Sequence, residues 1–469
     1  MSEPESEPVS VFARHRLAFL VAGGALAFLL LATGAFFTGA AVGSAQQNAV
    51  AETPAAPDEP TEEARVVPAE LPASNPVRTC TIASLAKDKT LKTFFGYVTN
   101  LETGDVLFSR DGDQAGRTGS LLKLITASAA LQVLGPDYQL TTSVYEGATP
   151  GTVVLVGGGD PTLSRTPIGS ESYYPGAPKL QTLADAVVAA SDAQITNIIV
   201  DASYWDTKDK WLSSWKRSEQ TTGYLSEVTA LQVDGDRKNP SKSVSPRSTD
   251  PVMAAGKYFA KALGVPNATI TVGTRPADAI EITSVQSQPL ADLINQMLLT
   301  SDGTLAEAIA RVTSKVAGDD GSAASLQSVM TDQMTALGLD ASNLGIVDGS
   351  GLSEDNAVSP EFFTQLIALL KKGQNNLNIV YNSLPVAGET GSLASRFTGA
   401  NAKAKGAVLA KTGWIDTEYA LAGVVNAEDG SSLAFAFYAI GDGITQSATT
   451  ALDTLAAAVY TCGDNLSNR

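Results

Sequence analysis

From Leu17 to Gly43 the chain reads LAFLVAGGALAFLLLATGAFFTGAAVG, almost without a polar side chain. A helix needs about 20 apolar residues to cross a bilayer, so this run is long enough to span one. Arg14 and Arg16 stand directly before it. By the positive-inside rule they keep the N-terminus cytoplasmic. The apolar core of a cleavable signal is usually about 7–15 residues, shorter than this run, which favours an uncleaved anchor. The alternative is a cleaved signal with Ala45 as the cleavage residue. We expect residues 1–16 to be a cytoplasmic tail and 17–43 a transmembrane anchor or signal; both readings of the apolar run export the rest of the chain.

Residues 44–76 contain AETPAAPDEPTEEARVVPAELPASNP, which has no apolar period and several prolines. This composition predicts a flexible linker. The two cysteines, Cys80 and Cys462, lie at the two ends of the exported part. Export admits disulfide chemistry, and a bridge between them would tie the first and last elements together. Two separate buried thiols are the alternative.

Structure is expected to begin near Cys80. Phe95 to Ser109 (FGYVTNLETGDVLFS) predicts two strands around a turn at Glu102-Thr103-Gly104-Asp105. Ser120 to Leu134 (SLLKLITASAALQVL) is apolar nearly all round and stops at Gly135-Pro136, as a buried helix does. Residues 140–288 change character, with short strand-like runs (TVVLVGGG, ITNIIVDAS), many turns and the aromatics Tyr204, Trp205, Trp211 and Trp215. We read this stretch as an inserted α/β domain and its aromatics as core. Helical patterning returns in PLADLINQMLLT, breaks at Ser301-Asp302-Gly303 and resumes in TLAEAIARVTSKVA. Three strands (GAVLAKTG, YALAGVV, SLAFAFYAI) and a last helix (SATTALDTLAAAVYTC) close the chain. Strands at both ends with helices between them predict a sheet assembled from both termini.

Composition limits the chemistry. The one His is His15, ahead of the apolar run, so no Ser-His-Asp triad, Cys-His dyad or His-Glu-x-x-His zinc site can lie in the body. Two cysteines cannot build a zinc cluster. A formal charge of -17 argues against nucleic acid as a partner. An enzyme made from this chain must take its base from Lys, Asp, Glu or Tyr.

A serine activated by lysine meets that condition. Ser-x-x-Lys on a helix puts both side chains on one face. The amine works as a base only when burial or neighbouring positive charge keeps it neutral. The spacing occurs at Ser84/Lys87, Ser120/Lys123 and Ser213/Lys216. Ser120/Lys123 stands apart because it opens the most apolar helix, whose N-terminal N–H groups could face an oxyanion. A second signal is Lys411-Thr412-Gly413 at the end of a strand. Its lysine offers charge to a substrate carboxylate, Thr412 a hydroxyl and Gly413 room for a substrate backbone. The next N–H, on Trp414, can complete an oxyanion hole with that of Ser120.

Together these pieces resemble the penicillin-recognising enzymes. The chain from about residue 80 to 469 is similar to the class C low-molecular-mass penicillin-binding proteins, the D-Ala-D-Ala carboxypeptidase/endopeptidase family. The resemblance rests on SLLKLITA (120–127), GGGDPTL (157–163), TSDGTLAEAIAR (300–311), VDGSGLS (347–353), LPVAGETGSL (384–393) and AKTG (410–413), all in family order. It implies an α/β (α+β) fold: a β-lactamase-like transpeptidase domain with an antiparallel sheet and helical cluster, formed by 77–139 and 289–469. The smaller α/β domain at 140–288 is inserted into it. It also implies a serine D,D-carboxypeptidase that acts on peptidoglycan stem peptides outside the membrane, anchored there or secreted into the wall. Ser120 would be the nucleophile, Lys123 its base and Ser301 a proton relay. Lys411 and Thr412 would hold the terminal carboxylate, with Gly413 and Trp414 beside them. β-Lactams would acylate Ser120. No metal or organic cofactor is implied.

The chain departs from the family at two places. The usual Ser-x-Asn reads Ser301-Asp302-Gly303, so the asparagine amide is absent, and Asn295 and Asn356 are candidate replacements. Where relatives often carry Arg after Ser-Gly-Leu-Ser, Glu354 follows Ser353. That change predicts a neutral or basic group at the facing substrate position. The insert is also shorter than in many relatives. The glycines of GGGDP read as a structural turn, and Arg396 as a surface charge. Two other functions stay open: a catalytically weak or silent wall-binding protein, favoured by Gly303, and a β-lactamase or esterase on the same scaffold.

Overall fold

The computed structural model describes residues 77–206 and 208–468. The tail, the anchor or signal and most of the linker expected before residue 77 lie outside the described residues. Among the described residues no helix is long and apolar enough to cross a membrane.

The chain opens with a hairpin, β1 (Thr93–Asn100) and β2 (Val106–Arg110). A short 3-10 turn, Gly119–Leu121, then runs into α1 (Leu122–Val133), which is buried from Leu122 to Leu131. The next region contains β3 (Thr141–Glu146), β4 (Thr152–Gly157), α2 (Leu180–Ala190), β5 (Asn197–Asp201), α3 (Pro251–Ala262), β6 (Thr269–Val272) and β7 (Glu281–Gln286). Four longer helices follow, α4 (Leu290–Thr300), α5 (Gly303–Val316), α6 (Ser325–Ala336) and α7 (Pro360–Lys372), and then a short one, Asn378–Asn382. The chain closes with β8 (Val408–Ile415), β9 (Glu418–Asn426), β10 (Ser432–Ile440) and α8 (Ser447–Cys462).

The strands form two five-stranded sheets. One has the order β2-β1-β10-β9-β8 and is antiparallel throughout. It joins the first strands to the last, as the sequence predicts. Along β10, side chains alternate between faces with the period of a strand. Ala434, Ala436 and Tyr438 join the core that contains α1, α5 and α7. Leu433, Phe435, Phe437 and Ala439 join the core beneath α8. A strand covered on both faces must be apolar at nearly every position, which explains the unbroken run SLAFAFYAI.

The second sheet has the order β6-β5-β4-β3-β7 and is mixed, with β4–β5 and β5–β6 parallel. It lies within the segment 140–288. Gly157 and Gly158 belong to the backbone here. A Cβ on Gly157 would come within 2.3 Å of Ala230 O, and one on Gly158 within 2.5 Å of Thr141 O. Trp205 and Trp215 are buried, and Tyr204 and Trp211 pack against the same core, so the aromatics of this segment are structural. That core runs on without interruption into α1 and α5.

Cys80 and Cys462 form a disulfide with Cα atoms 5.5 Å apart. The chain ends are also paired through their backbones: Cys80 N–H donates to Asn465 O (3.1 Å) and Ser467 N–H to Cys80 O (2.7 Å). Arg396 is not a free surface charge. It bridges to the buried Asp453 of α8 at 2.7 Å and so ties the segment before β8 to that helix.

Candidate active site

A cleft open to solvent is lined by Ser120, Lys123, Ser301, Gly303, Thr412 and Trp414, with Ser350, Tyr224 and several charged residues around them. Three stretches far apart in sequence meet there: the turn before α1, the break between α4 and α5, and the edge strand β8.

Ser120 sits in the 3-10 turn at the head of α1. The turn is pressed against β8. A Cβ on Gly119, whose φ is +43°, would fall 2.7 Å from Trp414 N. Gly351, with φ +83°, closes in from the other side, and a Cβ there would overlap Gly119 O. Glycine at both positions lets the Ser120 turn approach its neighbours closely. The first N–H groups of a helix have no partner within it, so the N–H of Ser120 is free of intrahelical demand.

Lys123 lies one turn along and is 1% exposed. Its Nζ is 2.8 Å from Ser120 Oγ and donates to Ser350 O at 2.6 Å. Burial pulls the amine down to about 8, while Asp348, Asp302 and Glu307 act in the opposite sense. Of the three Ser-x-x-Lys pairs, this is the one in which the amine rests on its serine. Lys216 turns instead to Asp416 (2.7 Å), and Lys87 is exposed.

Ser301 ends α4 in the left-handed conformation, φ 58°. Such backbone costs a non-glycine residue about 1–3 kcal/mol and persists where the surroundings impose it. Here the next residue supplies the constraint. Asp302 Oδ1 accepts from Leu305 N–H (3.1 Å) and caps α5. Its Oδ2 accepts from Arg237 Nη2 (2.8 Å) and from Tyr174 OH (3.0 Å). Arg237 and Asp302 are both buried, and the charge of Arg237 holds the Asp302 carboxyl below its ordinary range against the pull of burial. Gly303 lines the cleft. A Cβ there would find its nearest neighbour, Leu225 Cδ1, at 3.4 Å, so the backbone leaves room for a side chain. The candidate replacements are elsewhere. Asn295 bonds Ser383, and Asn356 is buried inside the 347–356 loop, bonding Val347, Asp348 and Ser353.

On β8, Ala410 N–H donates outward to Pro385 O, away from β9. With the period of two along a strand, the N–H groups of Thr412 and Trp414 point the same way, off the free edge. The N–H of Trp414 therefore faces the side where Ser120 stands. Lys411 is fully buried and lies behind the cleft wall. Its Nζ donates to Ser301 Oγ (2.8 Å) and Thr412 O (2.9 Å). Burial, and next the charge of Lys123, push this amine well below its usual range. Thr412 Oγ1 pairs with Ser392 Oγ at 2.8 Å.

The outer wall carries Lys216, Glu219, Glu354 and Asp416. Glu354 faces Arg117 (3.6 Å) and Lys216 (3.7 Å). Glu219 is half-buried, and burial, then Asp416, raise its carboxyl. Tyr224 and Trp414 meet edge-on across the cleft with centroids 5.8 Å apart. Sequence reasoning brought Ser120, Lys123, Ser301, Thr412 and Trp414 to this cleft, with Lys411 and Gly413 in the strand behind it. It missed Ser350, Ser392, Tyr224, Glu219 and Asp416. The first two stand inside the quoted VDGSGLS and GETGSL motifs, so a signal existed. The other three carry no local mark.

Comparison with known proteins fits this architecture. The profile of the D-Ala-D-Ala carboxypeptidase 3 (S13) family matches residues 79–242 and 231–459. Carboxypeptidase DacB of Mycolicibacterium smegmatis is 34% identical over 450 residues, covering 94% of this chain and 95% of that protein. A D-alanyl-D-alanine carboxypeptidase of Actinomadura sp. is 27% identical over 425 residues, covering 72% of this chain and 76% of that one. Among solved structures, penicillin-binding protein 4 of Haemophilus influenzae superposes with a TM-score of 0.66 at 19% identity, covering 80% of this chain and 97% of that one.

Proposed function

The chain belongs to the D-Ala-D-Ala carboxypeptidase 3 (S13) family and is a serine-type carboxypeptidase, and from that premise we propose that it works through an acyl-enzyme on Ser120. The observation that carries this reading is the buried Lys123 amine, held at about 8 and 2.8 Å from Ser120 Oγ. In its neutral form the amine takes the hydroxyl proton as Oγ attacks the carbonyl between two terminal D-alanines. The N–H groups of Ser120 and Trp414 receive the oxyanion. Ser301, bonded to Lys411, passes a proton to the leaving amine. Water then attacks the ester, with Lys123 again as base.

Lys411 acts from one layer behind. Two buried amines oppose each other's charge. A substrate carboxylate at Thr412 and Ser392 favours the proton on Lys411, which leaves Lys123 neutral for attack. The same acyl-enzyme serves cross-link endopeptidase cleavage, and β-lactams acylate Ser120. Glu219, Glu354 and Asp416 against Lys216 on the outer wall suit a neutral or basic side chain at the third stem-peptide position. The enzyme acts outside the cytoplasmic membrane, anchored or released into the wall by the apolar run at 17–43.

The test uses the full-length chain, a fluorescent penicillin and intact mass, with wild type beside Ser120→Ala. A stoichiometric adduct that the variant lacks is expected. Folded wild type without adduct at saturating drug would leave a silent wall-binding relative as the better account. Rapid drug turnover would point to a β-lactamase.

A further inference from the structure

Glu307 is fully buried on α5 and touches no atom that reacts. Its Oε1 accepts two backbone N–H groups of the facing loop, from Gly349 (2.9 Å) and Ser350 (2.8 Å). Its Oε2 is buried and has no hydrogen-bond partner among the described residues. The loop is pinned at further points. Gly349 O accepts from Thr126 Oγ1 (2.7 Å), and Gly351 N–H donates to Asp348 Oδ1 (2.7 Å). The purpose of this wiring is read from Ser350 O, which accepts from Lys123 Nζ at 2.6 Å.

A neutral primary amine has two N–H bonds and one lone pair. Left free to rotate, it points the lone pair anywhere. Committing one N–H to a fixed carbonyl excludes the orientation in which the lone pair faces that carbonyl, and holds the nitrogen 2.8 Å from Ser120 Oγ, where the lone pair can be turned on the hydroxyl. The Ser350 carbonyl shares its peptide plane with Gly351 N–H, which Asp348 holds, and the two preceding planes are held by Glu307. α5 also starts at the Ser301 turn, and Glu307 stands one turn in. One rigid helix thus registers the relay serine against the base.

We propose that Glu307 is a positioning residue of the acylation step: it fixes the Ser350 carbonyl on Lys123 and thereby directs the base at Ser120. This rests on the acyl-enzyme reading above. Glu307 has a second effect through charge. The charged groups facing Lys123 are Asp302, Glu307, Asp348 and Lys411, from the turn before α5, α5 itself, the loop and β8. Glu307 in turn faces Asp348 and Arg311; burial raises its carboxyl to about 7, and Arg311 is tied to Asp209 at 2.9 Å. Above that pH its negative charge favours the ammonium form of Lys123.

The two roles separate in two variants of the full-length chain. The rate of acylation by fluorescent penicillin is measured from about pH 6 to about pH 9. Glu307→Gln keeps an oxygen for both N–H groups and removes the charge. It should hold a near wild-type alkaline plateau with the rising limb moved to lower pH, because Lys123 loses its proton more easily. Glu307→Ala loses the clamp as well as the charge, so its limb should move in the same direction while its alkaline plateau falls about 100-fold, the scale of a misplaced catalytic group. Should the alanine variant not fold, Glu307→Asp takes its place: it keeps the charge but falls short of the two N–H groups, and should lose rate on the plateau without the shift of the limb seen in Glu307→Gln. Wild-type rates in the alanine variant would overturn the proposal, as would both variants falling together with the limb unmoved. Failure of wild type itself to label would instead overturn the acyl-enzyme reading, and this proposal with it.

Discussion

In the sheet made from both chain ends, β9 and β10 are buried along almost their whole length. In the second sheet, no residue of β6 or β7 is buried. The first sheet brings chemistry on its own strand, since Lys411, Thr412 and Trp414 all lie on β8. No strand residue of the second sheet lines the cleft. That region acts instead through the segments between its strands, which deliver Tyr224, Lys216 and, on the short helix Ser218–Thr222, Glu219 to the wall, and Arg237 to Asp302. An apolar layer can hold a strand in place, but a loop carries unpaired backbone groups and must be held by polar contacts. The two regions therefore should fail in different ways when cut.

The sharpest contrast is between two cations. Lys123→Met removes the base and should lower penicillin acylation about 10²–10⁴-fold, the usual contribution of general base catalysis, with a melting temperature unchanged or raised. Arg237→Met leaves Asp302 buried and unpaired, and should lower the unfolding free energy by about 3–5 kcal/mol in urea titrations. A variant of Arg237 with wild-type stability would break the contrast. A smaller effect comes from solution conditions. Because Lys123 sits near 8, the acylation rate should rise about tenfold from pH 7 to a plateau above the midpoint, the direction required of a group that acts when deprotonated. A falling profile over that range would remove Lys123 from the base role. The smallest effect belongs to the exposed edge of the second sheet. Val272 is 66% exposed, and Val272→Ser should change stability by no more than about 0.5 kcal/mol.

What could be read in advance follows from how far each signal reaches along the chain. The buried helix after Ser120, the strands around Lys411 and the break at Ser301 are local patterns, set by period and turn chemistry, and they stand where expected. The Cys80–Cys462 bridge was legible because two cysteines allow only one pairing within the chain. The partner of Asp302 was not. Arg237 lies far from it in sequence, in a loop without period, and the contact exists only once the second sheet is docked. The same holds for Glu307, whose carboxyl matters through backbone N–H groups that no side-chain motif announces. Lys411 was legible as a residue but not as a depth. Its full burial depends on the turn that ends α4, where Ser301 Oγ accepts from Lys411 Nζ.

The disulfide has a mechanical consequence. Cys80 precedes β1, and Cys462 ends α8, so the covalent link joins the chain before its first strand to the helix beneath the terminal sheet. Tension applied to the chain at residue 77 reaches the sulfur–sulfur bond before it reaches β1. From there it passes into α8, which lies against β9. The β1–β10 ladder is therefore never loaded in its weak, unzipping direction, and a pull on the N-terminal side moves the catalytic body as a whole.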